Sequence, residues 1–89
     1  MWSRRLLDAL KKQLPDYRWN ARINQSGGYL YARRQKHNVK IYVKKTRSSD
    51  ILVCFFTQRG RAWISEDEFE TRSVENAENG ILEWFSLLN

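Results

Sequence analysis

Residues 17–34 read "YRWNARINQSGGYLYARR", and their alternation decides the fold. Tyr17, Trp19, Ala21 and Ile23 alternate with Arg18, Asn20, Arg22 and Asn24. A period of two is that of a half-buried β-strand, whose successive side chains point to opposite faces. "QSGG" supplies glycines able to take positive φ, and the chain returns through "YLYARR", so the stretch reads as a β-hairpin.

The pattern continues downstream. In "NVKIYVKK", Val39, Ile41 and Val43 alternate with Lys40, Tyr42 and Lys44. "DILVCFF" is apolar on both faces, as an interior strand or one covered twice would be. "QRGR" reads as a tight turn into a short strand "AWI", and Ser65 with Glu68 reads as a capping box opening a helical turn.

Helices flank the strands. Trp2, Leu6, Leu7, Leu10 and Leu14 follow helical spacing over roughly residues 3–14, with Ser3 as the cap and Pro15 as the stop. Val74, Ala77, Ile81, Trp84, Phe85 and Leu88 form a second apolar stripe, capped by Ser73. Gly80 within it costs about 1 kcal/mol relative to Ala, which points to a close contact with the sheet. The expected fold is α+β: an antiparallel meander of four to five strands with an N-terminal and a C-terminal helix on one face.

Length and composition agree with a single small domain spanning residues 1–89. A chain of this size buries roughly 60 to 65 % of its unfolded surface, enough for one modest core. One cysteine, Cys54, excludes an internal disulfide framework and a multi-cysteine zinc site. No stretch approaches the ~20 apolar residues of a membrane span. Asp8, Lys11 and Lys12 interrupt the apolar run that an export signal needs. A soluble protein of the reducing cytoplasm is therefore expected.

The net charge is +6, but its distribution says more. Residues 1–62 carry fifteen of the sixteen Lys and Arg against Asp8, Asp16 and Asp50 only. Residues 63–89 carry Arg72 against seven acids. A basic body with an acidic flank suits a polyanion-binding surface.

Simple loops test whether the cations share a face. If "QSGG" and "QKHN" are four-residue loops, Asn24 pairs with Tyr29 and Arg34 with Val39. Arg22 then faces Tyr31, Asn20 faces Arg33, Tyr31 faces Tyr42, and Arg33 faces Lys40. Arg18, Asn20, Arg22, Tyr29, Tyr31, Arg33, Lys40, Tyr42 and Lys44 emerge together, with no acid among them. Like charges directly opposite are costly, which calls for a compensating anion such as phosphate.

The expected function is accordingly binding of DNA or RNA, with weak sequence selectivity. Arg18, Arg22, Arg33, Lys40 and Lys44 would contact phosphate, and Tyr31 and Tyr42 would stack on bases. The bland reading is a solvated face whose cations guard against edge pairing. Strand 51–56 keeps a rival open. A four-residue loop after Lys45 sends Leu52, Cys54 and Phe56 inward, whereas a five-residue loop sends Ile51, Val53 and Phe55 inward. Either leaves three apolar residues outside, suited to a homodimer or a protein partner.

Catalysis finds little support. His37, the only histidine, falls in a turn, and a small metal-independent ribonuclease using it with Tyr42 is a distant third reading. Cys54 reads as a buried small hydrophobe. "EDEFE" reads as a solvated turn rather than a magnesium site. No cofactor or metal is expected. Trp2, Trp19, Trp63 and Trp84 fall on expected apolar faces and read as core. The order helix, antiparallel strands, helix resembles double-stranded-RNA-binding domains. Those carry lysines at the start of the final helix, where this chain has "SVENAEN", so neither function nor residues are carried over.

Overall fold

The computed structural model describes residues 1–88. The elements run α1 (Trp2–Gln13), β1 (Arg18–Asn24), β2 (Gly27–Arg34), β3 (His37–Lys45), β4 (Ile51–Arg59), β5 (Ala62–Thr71) and α2 (Val74–Ser86). The strands form one antiparallel sheet in the order β1-β2-β3-β4-β5. This is the expected α+β meander with its two flanking helices, carrying five strands.

Both helices cover the same face. Leu6, Leu7 and Leu10 of α1 and Ala77, Ile81 and Phe85 of α2 are buried in one cluster with Leu30, Ala32, Val39, Ile41, Val43, Ile51, Val53 and Phe55. An aromatic seam closes it. Trp84 stacks on Phe55 at 4.3 Å between centroids, and Tyr17 meets Phe85 edge-on at 5.0 Å. Trp19 lies on this side too, its indole N–H donating to the Leu14 carbonyl at the end of α1 (3.1 Å).

The helix starts differ in kind. Ser73 caps α2 as expected, its hydroxyl oxygen accepting from the Asn76 N–H at 3.0 Å. Ser3 does not cap α1, which begins one residue earlier with Met1 at the cap position. Instead Ser3 is fully buried and its hydroxyl donates to the Asn24 carbonyl at 2.8 Å, tying α1 to the end of β1. Beside it the Trp2 indole donates to the Gln25 carbonyl at 2.7 Å.

The hairpin loops are shorter than four residues. Asn24 pairs with Gly27 and Arg34 with His37, so Gln25–Ser26 and Gln35–Lys36 are two-residue turns. The Asn24 side-chain carbonyl sets the first turn by accepting from the N–H groups of Ser26 (2.8 Å) and Gly27 (3.2 Å). The two glycines lie inside β2 rather than in the loop. Their φ values are +132° and +142°, and a Cβ at either would sit 2.0 Å from a carbonyl oxygen of the neighbouring strand. Only glycine fits there.

The largest departure is β5. Ser65 and Glu68 open no helical turn, because Ala62–Thr71 is one strand paired along its length with β4. Glu66 is the extra residue of a bulge opposite Phe55/Phe56, and the Thr57 hydroxyl donates to its Oε1 at 3.0 Å. Glu and Asp are poor strand formers, so local propensity points the wrong way. Ladder pairing overrides it, and the carboxylates then guard an edge strand. Gly80 makes the expected close contact with the sheet, facing the Phe69 ring of β5.

Candidate nucleic-acid interface

The helix-free face is where the alternation sends its polar set. Arg18, Asn20 and Arg22 emerge from β1, Tyr29, Tyr31 and Arg33 from β2, and Lys40, Tyr42 and Lys44 from β3. All nine alternate with the apolar residues of their strands that pack into the helix-side core. Arg18, Arg22, Arg33 and Lys44 are exposed, while Tyr31, Lys40 and Tyr42 are half-buried. The site residues named from sequence therefore share one surface.

Their neighbours differ from the sequence expectation. Arg22 faces Tyr29, Asn20 faces Tyr31, and Arg33 faces Arg18 on one side and Asn38 on the other. The like-charge pair across strands is thus Arg18 with Arg33, not Arg33 with Lys40. Lys40 lies between Tyr31 and Phe56. Each register is displaced by two residues, an even number, so every side chain keeps its face.

Five residues separate β3 from β4, which selects Ile51, Val53 and Phe55 for the core and leaves Leu52, Cys54 and Phe56 outside. All three are half-buried. The same phase carries Gln58 outward, and with it Trp63, its partner on β5. Trp63 is therefore a surface aromatic, not the core residue its sequence context suggests. Its signal in the sequence was the turn "QRGR", but the length of the preceding loop had to be known first.

Trp63 joins an aromatic layer. Tyr29 lies 6.2 Å from Tyr31 and 5.1 Å from Tyr42, and Tyr31 lies 6.4 Å from Trp63, between ring centroids. Lys40 is embedded in it. Its Nζ lies 4.8 Å from the Trp63 centroid, 5.0 Å from Phe56 and 5.3 Å from Tyr29. Such contacts contribute about 0.5–1 kcal/mol each near the surface. Lys40 thus organises the rings as well as adding charge.

The cations of this face form no ion pairs with described carboxylates. Among the described residues the one ion pair is Arg4 with Asp8 on α1, at 3.5 Å. Among the described residues, no carboxylate lies within bridging distance of Arg18, Arg22, Arg33, Lys40 or Lys44. The acids of this face, Glu68 and Glu70, lie on β5 opposite Cys54 and Leu52. The surface is polarised, basic at β1–β3 and acidic at the far edge.

The other chemical candidates disperse. Strand alternation separates Asp67 from Glu68 and Glu70, and no three His, Cys, Asp or Glu among the described residues converge on a metal position. Cys54 is half-buried on the outer face rather than in the core. Burial, and secondarily the Glu68 carboxylate, push its thiol up from the ordinary value, opposite to what a nucleophile needs. His37 opens β3 and lines an open depression of about 700 Å³ with Asp16, Arg18, Arg33, Arg34 and Gln35. No described helix is long and apolar enough to cross a membrane.

The chain matches no family model, no curated protein and no solved structure.

Proposed function

We propose that this protein binds DNA or RNA through the outer face of its sheet. The observation that carries the reading is the unpaired cation set, Arg18, Arg22, Arg33, Lys40 and Lys44, on a helix-free face around an aromatic layer. Leaving these charges without carboxylates keeps their full Coulomb attraction for phosphate, and binding releases the condensed counterions. The Tyr31 and Tyr42 rings, already held by neighbours, offer flat surfaces to bases at little further cost in side-chain entropy. The face is a sheet rather than a protruding helix, and it holds aromatic as well as basic groups. That combination suits unstacked bases better than the edges of an intact duplex.

The test is fluorescence polarisation with labelled single and double strands over a series of salt concentrations. Each lost phosphate contact lowers the slope of log K against log salt by about 0.7 on a single strand. Arg22→Ala with Lys44→Ala should reduce it by about 1.4. Lys11→Ala with Lys12→Ala, on the exposed side of α1, should leave it unchanged. Equal slopes for both variants would end the assignment. Indifference to every nucleic acid, together with a concentration-dependent dimer in sedimentation, would favour the protein-docking reading of Leu52, Cys54 and Phe56.

A further inference from the structure

The outer face is not uniformly flat. Near the end that carries the Gln35–Lys36 turn, a concavity of about 440 Å³ opens between β1, β2, β3 and the β4–β5 hairpin. Besides Trp19, Ala32 and Val39, its lining residues are of three kinds. Tyr31 and Trp63 supply rings, Asn20, Asn38 and Gln58 supply amides, and Arg18 and Arg33 supply charge. The volume lies within the range of small-ligand clefts, about 300–1,000 Å³.

The amides are partly spoken for, and what remains is informative. Asn38 donates from Nδ2 to Gln58 Oε1 at 2.8 Å. Neither side chain has another hydrogen bond to a described residue, so the Asn38 carbonyl and the Gln58 amino group stay available. Together the two side chains offer one acceptor and one donor. Asn20 Oδ1 accepts from the Ala21 N–H at 2.9 Å, leaving its amino group as a further donor. A planar ligand whose edge carries both a donor and an acceptor is complementary to that pair.

The arginines set the ligand's other end. Arg18 and Arg33 stand directly opposite each other on β1 and β2 and line both this concavity and the larger one that bears His37. Two like charges side by side, with only Asp16 among the walls to offset them, form an anion seat between two hollows. Lys40 lies outside the smaller hollow but holds the Trp63 ring, its Nζ 4.8 Å from the centroid.

We propose that this concavity takes a single unstacked nucleobase. The base would stack against Trp63 and Tyr31 with its edge on Asn38 and Gln58, and its phosphate would rest on Arg18 and Arg33. The inference rests on the nucleic-acid reading and sharpens it. The strand must be single or locally opened, because a base stacked in a duplex cannot enter. Sequence preference at one nucleotide follows, on a face otherwise indifferent to sequence.

The experiment compares two labelled strands, one of mixed sequence and the same strand with every base replaced by an abasic analogue. Stacking on one aromatic side chain makes a difference of roughly 5- to 150-fold. The unsubstituted protein should bind the abasic strand weaker by at least that factor. Trp63→Ala should lose a similar factor on the normal strand and nothing on the abasic one, whereas Trp63→Phe should retain part of it. Asn38→Ala with Gln58→Ala should alter the ranking of strands that differ at a single base while leaving the salt slope unchanged. Circular dichroism melts confirm that each variant is folded. Equal, salt-dependent affinity for normal and abasic strands would overturn the base pocket and leave the phosphate-binding surface standing. Failure to bind either strand would overturn both.

Discussion

Replacing Gly80 by Ala sets two calculable effects against each other. Gly80 lies in the middle of α2, where Ala is favoured over Gly by about 1 kcal/mol. A Cβ built there would lie 2.5 Å from Phe69 Cζ, 2.9 Å from Cε2 and 3.0 Å from Cε1. Real contacts are not that short, so the ring must move. Its centroid is 5.9 Å from that of Phe55, which is fully buried and stacked on Trp84, so the core side gives no room. Retreat leads into the open groove between β5 and α2, at the loss of ring burial. Overpacking of this kind costs about 1–3 kcal/mol. The cost matches or exceeds the helix gain, and Gly80→Ala should destabilise by about 0–2 kcal/mol. In a domain of this size that lowers the melting temperature by up to roughly 8–16 °C. Phe69→Leu removes Cζ, so the two substitutions together should cost less than the sum of their separate effects. A double-mutant cycle from urea denaturation reads the coupling. A raised melting temperature for Gly80→Ala with Phe69 intact would refute the argument.

Further outcomes follow from the buried Ser3 hydroxyl and the single thiol. Ser3→Ala removes the hydroxyl bonded to the Asn24 carbonyl and should cost about 1–3 kcal/mol, measured as a lower urea midpoint at unchanged slope. A change within error would mean that the contact between α1 and β1 is not held by this bond. The raised Cys54 pKa favours the neutral thiol, so iodoacetamide should react slowly near pH 8 and faster as the pH climbs past the ordinary thiol range. Glu68→Gln should speed the reaction at fixed pH, since one carboxylate no longer opposes thiolate formation. The sign for stability is the same. A folded-state pKa above the unfolded value contributes stability below the unfolded pKa, and that contribution is lost as pH rises through the folded one. Cys54→Ser should therefore soften the alkaline loss of stability, and an unaltered alkaline limb would contradict this.

Much of the candidate surface was legible because of a symmetry in strands. The alternation in residues 17–45 assigned Arg18, Arg22, Tyr31, Arg33, Lys40, Tyr42 and Lys44 to one face. That assignment survived registers displaced by two residues at both hairpins, since an even displacement never exchanges faces. Cross-strand partners did not survive it. The embedding of Lys40 among rings and the meeting of Arg18 with Arg33 were both hidden by the assumed loops.

The face of β4 was undecidable from alternation, because "ILVCFF" is apolar in either phase. The chain's own pattern thus determined the two helices, the meander and the basic face of β1–β3, all through short-range periodicity of 3.6 or 2. Tertiary packing decided the rest. The five-residue β3–β4 loop sent Phe56 and Gln58 outward and brought Trp63 to the surface with them. Pairing with β4 drew the acidic run 66–70 into an edge strand against its propensity. Those outcomes depend on contacts between residues distant along the chain, and local side-chain patterns carry no record of such contacts.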